Sequence, residues 1–139
     1  MIDVENYVYT QVRNAIKAEY PSASVSGEYI ENPARFPHIS LEMTDSSTDA
    51  ASMTAQTREF AANQTFTANV YTNTQTAKTD AKALADIVDR VMQNLGFRRS
   101  QMLNTPNIDR TIYRLTLRFV GIVSLGYDGE ESHYKITAR

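Results

Sequence analysis

The sequence predicts an α+β domain: a mixed, mostly antiparallel sheet with two helices packed on one face and a long polar loop between strands. Three observations carry that expectation. Within residues 64–97 the apolar period changes from two to about three and a half, so a strand passes directly into a helix. Residues 36–43 and 109–124 alternate cleanly between apolar and polar side chains, as half-buried strands do. One further helical stripe stands near the N-terminus.

The strand–helix unit organises the rest. Phe66, Ala68 and Val70 fall on one face of the strand, and residues 73–76 are polar turn material. Leu84, Ile87, Val88, Val91, Met92 and Leu95 then recur at helical spacing. Thr76 or Thr79 can cap the start, Asp80 sits favourably in the first turn, and Gly96 closes the end in a conformation that is easy only for glycine. Such a helix is stable only when clamped onto a sheet, because ordering its backbone costs about 1–2 kcal/mol per residue.

Upstream, Asp3 is a candidate cap for a helix whose stripe is Val4, Tyr7, Val8, Val12, Ala15 and Ile16, ended by Tyr20-Pro21. A short strand is expected within 22–29 and a turn at Asn32-Pro33. The strand at 36–43 points Ile39, Leu41 and Met43 inward, with Pro37 at its start. Residues 44–63 form a twenty-residue polar stretch with little to bury beyond Met53 and Phe60. It reads either as a solvated loop or as a segment that orders against a neighbouring copy, and residues 57–60 can lengthen the central strand. Downstream, 97–103 and 109–124 make a hairpin around Pro106. Tyr113, Leu115, Leu117 and Phe119 face in, and Arg110, Arg114 and Arg118 face the other way. Asp128-Gly129 suits a tight turn, letting 133–137 pair back as an edge strand. No repeat or composition change divides the 139 residues, so a single domain is expected, with 126–139 available as a contact tail.

The chemistry is sparse. With 14 basic and 16 acidic residues the net charge is −2, which argues against a nucleic-acid grip. There is no cysteine, so disulfides and thiolate chemistry are excluded. The N-terminus lacks a signal-peptide layout, no apolar run approaches ~20 residues, and a soluble intracellular domain without a membrane span is expected. His38 and His133 have no partner at metal-ligand spacing, no serine sits in a glycine-flanked elbow, and five glycines supply no phosphate-cradling loop. No catalytic residue, metal site or cofactor is therefore assigned. The basic residues Arg98, Arg99, Arg110, Arg114 and Arg118 lack interleaved aromatics on their own face, which favours ion pairs within or between subunits over phosphate contact.

The ordered string as a whole carries a resemblance over about 36–122. It comprises the proline-led strand Phe36-Pro37-His38-Ile39-Ser40-Leu41-Glu42, the polar stretch, a strand ending Val70-Tyr71-Thr72-Asn73, and the helix Ala83 to Met92. Leu95-Gly96-Phe97-Arg98-Arg99 and the strand Ile112 to Phe119 complete it. This resembles the tail terminator, or tail-completion, proteins of long-tailed bacteriophages, and more loosely the neck and connector proteins beside them. The resemblance implies a non-enzymatic virion protein at the head–tail junction, present in the host cytoplasm during assembly. It implies a homo-oligomeric ring, hexameric in that family, that caps the tail tube protein, docks the head connector or head-closure protein, and passes DNA through its lumen without holding it. On exposure and pattern, the candidate subunit or partner contacts are Asp45, Asp49, Met53, Arg58, Arg110, Arg114, Arg118 and Tyr127, with Asp45 and Asp49 able to line a neutral or acidic lumen. A head-closure or connector protein is the nearest alternative, and a small-molecule-binding or enzymatic α/β domain with a pocket over the sheet is the rival from another class.

Overall fold

The computed structural model describes residues 1–49, 61–125 and 134–138. In chain order these form α1 (Glu5–Glu19), β1 (Ser24–Ser26), β2 (His38–Thr48), β3 (Ala61–Thr72), α2 (Ala77–Leu95), β4 (Arg98–Asn104), β5 (Tyr113–Leu125) and β6 (Tyr134–Ala138). The sheet runs β1-β2-β3-β5-β4, with β6 also on β5. Only β1–β2 is parallel, so the sheet is mixed and mostly antiparallel, as expected.

Both helices lie on one face. Ile39, Leu41, Phe66, Ala68, Val70, Leu115, Leu117 and Phe119 project toward them and meet Val8, Val12 and Ile16 of α1 and Leu84, Val88 and Met92 of α2. Cross-strand register explains why: Leu41, Ala68 and Leu117 stand side by side, as do Ile39, Val70 and Leu115, and paired residues share a face. The α1 stripe is narrower than its sequence suggests, because Tyr7 is exposed and only the positions spaced by four are fully buried.

The ends of the elements follow their local chemistry. Asp3 does engage the start of α1, its carboxylate accepting from the Glu5 amide at 2.9 Å. At α2 the cap residue is Thr76, whose hydroxyl and that of Thr74 both donate to Asp80. Gly96 ends α2 at φ 115°, and Phe97 donates back to the Met92 carbonyl at 2.9 Å. Asp86 pairs with Arg90 at 3.3 Å, and Arg90 also reaches Glu19 of α1 at 3.6 Å. The Phe36–Pro37 bond that leads into β2 is cis.

The polar stretch is more strand than loop at its ends. β2 runs on to Thr48 and β3 begins at Ala61, with Thr48 opposite Ala62 and the Asp49 amide donating to the Ala61 carbonyl at 2.9 Å. Thr44 to Thr48 have exposed side chains, so no apolar alternation marks them; they are strand because β3 offers them partners. A register shift between Met43 and Asp45 marks where the buried half of β2 gives way to this exposed arm.

β5 is the longest strand, and β3 covers one of its edges along nearly its whole length. Two strands share the other edge: β4 opposite 115–120 and β6 opposite 121–125. Gly121 marks the junction. A Cβ there would lie 2.7 Å from the Phe97 ring, which packs edge-on against Phe66 at 5.1 Å.

Candidate interaction surface

The sheet face turned away from the helices is polar, and its centre is a network of side chains bonded to one another. Alternation places Ser40 and His38 of β2, Thr67, Asn69 and Tyr71 of β3, and Arg114, Thr116 and Arg118 of β5 on this side. Asn69 is its hub. The Asn69 side-chain oxygen accepts from Arg114 Nε at 3.0 Å and from the Thr116 hydroxyl at 2.8 Å. Thr116 and Thr105 hydroxyls are 2.6 Å apart, and Thr44 and Thr67 hydroxyls 2.9 Å apart. The hub is buried although no helix covers it, because the threonines and Arg114 close over it.

At the lower end of β3 the chain between β1 and β2 folds over this face. Tyr29 receives a hydrogen bond from Arg114 at 3.2 Å and lies under its guanidinium, 4.9 Å from the ring centre. Arg114 also sits 5.7 Å from the ring of Tyr71, which is fully buried with no hydrogen-bond partner for its hydroxyl. Burial pushes the Tyr71 hydroxyl up to about 12; Arg114 pulls the other way, and Tyr29 and Glu31 add to the rise. His38 stacks at a tilt on Tyr71, 5.8 Å between centres, and burial lowers its pKa. The ring is buried because Tyr71 and Ser26 enclose the base of β2.

The Ser26–His38 contact at 3.3 Å has the residue types of a nucleophile and its base. The polarity is wrong for that. Ser26 donates its proton to the Glu28 carbonyl at 2.7 Å, which leaves its oxygen to accept from His38 Nε2. This arrangement holds the 26–28 turn against β2. Among the described residues no cluster of three or more His, Asp or Glu is disposed to hold a metal, and no helix is long and apolar enough to cross a membrane.

The residues singled out from sequence fall in different places. Arg114 and Arg118 share the open face of β5, but Arg114 engages the neutral groups Asn69 and Tyr29 rather than an acid. Arg118 is exposed, and no side-chain partner for it is found among the described residues. Arg110 is not on the strand. Asp109 accepts from both the amide and the hydroxyl of Thr111, forming a turn that delays β5 until Tyr113 and lowers the Asp109 pKa. Asp45 is exposed on β2 and Asp49 follows its end, so the structure does not bring these two acids next to the arginines of β5. Met53, Arg58 and Tyr127 lie outside the described residues, as do His133 and most of the proposed tail.

Sequence reasoning missed the two open edges of the sheet. On one side β1 ends opposite Ser40, and no described strand runs beside β2 beyond it. A groove of about 460 Å³ opens there, lined by Glu5, Tyr9, Ser26, Glu28, Ile30 and Leu41. The Glu5 carboxylate reaches across from α1 to accept from the Met43 amide at 2.5 Å. On the other side all seven residues of β4 are exposed, including Met102 and Leu103, and Ile108 in the following turn is 86% exposed. Ile108 could have been noticed as an apolar residue in a polar turn, but nothing in the sequence announces that Glu5 meets Met43.

No family model and no curated protein sequence matches the chain. Among solved structures, the fold is similar to that of a chain in the virion of a native gene transfer agent (GTA) particle. The two are 20% identical, the match covers 84% of this chain and 91% of that one, and the TM-score is 0.59. Bacteriophage SPP1 gp17 protein also aligns, at 9% identity over 89% of this chain and 92% of that one. Its TM-score of 0.38 is too low to equate the folds.

Proposed function

We propose that this chain is a structural protein of a virion of the tailed-phage or gene-transfer-agent kind, and specifically a tail terminator. In that role it closes into a homo-oligomeric ring at the head–tail junction, caps the tail tube and presents a docking face to the head connector. The observation that carries the reading is the fold shared, over nearly the whole of both chains, with a protein of a gene transfer agent virion. The polar sheet face supports it: the Asn69 hub at its centre is engaged with Arg114 and Thr116, and the serine–histidine contact described above has the wrong polarity for attack. The protein acts by shape and assembly, without a catalytic step or a cofactor.

Light scattering after size exclusion, run over a range of concentrations with negative-stain imaging of the peak, tests the reading. Closed rings of several protomers are expected. A monomer at every concentration overturns the ring. Capture of purified tube protein, with no capture of connector or portal, is expected of a terminator; the reverse pattern makes the chain a head-side neck protein.

A further inference from the structure

We infer that copies of this chain join by edge-to-edge strand addition, β4 of one copy extending the sheet of the next along the outer side of β2. The inference rests on the ring-forming role proposed above and specifies the surfaces that build it. An open strand edge is a row of unpaired amides and carbonyls, which proteins normally shorten, cover or pair. Among the described residues this sheet has two such edges, and they differ in a way that suits each other rather than themselves.

Direction comes first. β2 and β5 each run antiparallel to β3 and so parallel to one another, while β4 is antiparallel to β5. A neighbour placed in the same orientation therefore brings β4 alongside β2 antiparallel, the better-bonded arrangement, with all helices on one side of a continuous sheet. Length agrees as well. β4 has seven residues, and the uncovered part of β2, 41–48, is about as long.

Charge distinguishes this join from its alternatives. Arg98 and Arg99 begin β4, Arg118 stands opposite Gln101, and Arg110 lies in the turn beyond; Arg99 pairs with Asp89 at 3.1 Å. The β2 edge carries Glu5, Glu28, Glu42 and Asp45. A β4-to-β4 pairing would set like charges together, and so would β2 to β2; the head-to-tail pairing sets acid against base. Head-to-tail contacts are also the kind that close into rings. Glu5 acts as a placeholder: its carboxylate supplies the Met43 amide with the acceptor that an arriving strand's carbonyl would provide. An arginine-led strand can draw that carboxylate to itself and free the amide. Met102, exposed here on the helix face, comes to the side of the sheet on which Met43 lies in the same step.

The absence of native cysteine makes a clean test possible. On β4, Gln101→Cys and Leu103→Cys lie on the open face and Met102→Cys on the helix face; on β2, Asp45→Cys and Ser47→Cys lie on the open face. Singly substituted proteins are mixed in pairs, treated with a short bis-maleimide and resolved on denaturing gels. Crosslinked dimers are expected between an open-face β4 variant and an open-face β2 variant, at least fivefold above the Met102→Cys pairings, and their yield falls at 1 M salt. A double variant such as Leu103→Cys with Ser47→Cys gives a ladder that stops at the ring number. Self-crosslinking of Leu103→Cys alone overturns the inference in favour of a two-fold join. Multi-protomer mass by light scattering with no β4–β2 crosslink in any pair overturns it while leaving the ring intact. Monomeric mass throughout removes both.

Discussion

Arg114 donates through Nε to the side-chain oxygen of Asn69, 3.0 Å away and directly across from Thr116, which uses the same acceptor. One buried amide thus serves a cation and a hydroxyl at once. Asn69→Ala leaves both donors without it, and a loss of about 1–3 kcal/mol of stability is expected in urea unfolding. Arg114→Lys recovers little of what Arg114→Ala loses, because an ammonium cannot bond Asn69 edge-on while lying flat over Tyr29.

Tyr71 is expected to resist ionisation as the pH rises. Its hydroxyl titrates near 12 in the folded protein against about 10 in an unfolded chain. The raised value means that the unfolded state loses the proton first, so stability is intact below pH 10 and declines between 10 and 12. Absorbance at the phenolate band follows this step, and Tyr71→Phe removes it. Because the hydroxyl has no partner, Tyr71→Phe is neutral or stabilising by up to about 1 kcal/mol at pH 7.

His38 gives the opposite slope on the acid side. Its pKa lies below the ordinary value of 6.5, since burial disfavours the imidazolium. The unfolded chain takes up the proton first, so stability is full above about pH 6.5 and falls as the pH drops toward the folded value. Urea midpoints measured from pH 7.5 to 5 show the decline, and His38→Gln flattens it.

Gly96 and Gly121 differ in tolerance. A Cβ on Gly96 would collide with the Ile136 carbonyl oxygen and would also strain a backbone at φ 115°. On Gly121 it would press on the Phe97 ring, at 2.7 Å, and touch Ile136 at an ordinary contact distance of 3.5 Å. Gly96→Ala is expected to cost about 2–4 kcal/mol, the sum of backbone strain and a displaced strand, and Gly121→Ala about half that. Thermal unfolding of the two variants checks the order.

Much of this architecture is legible in the residues alone. The period change after Thr72 locates β3 and α2 because both bury a full apolar stripe. The inward set Tyr113, Leu115, Leu117 and Phe119 identifies β5 for the same reason. The outer half of β2 escapes apolar alternation because Thr44 to Thr48 hydrogen-bond in a ladder without burying side chains, and the outer half of β3 does so because what it buries is Ala61, Ala62 and the polar Gln64. Counting in steps of four carries Arg110 onto the strand, whereas Asp109 bends the chain before the ladder begins.

The surface residues were harder still. Arg114 could be assigned a face but not a partner, since Asn69 is 45 residues distant in sequence and Tyr29 is 85. The open edges have no sequence signature of their own. They are properties of strand order, and strand order emerges only once the elements have found one another.

Ile136 rests against Gly96, so the final strand is held at a second point as well as along β5. Traction on β6 is therefore passed to the turn where α2 hands over to β4. Peeling the strand away must disturb that turn before the central ladder yields.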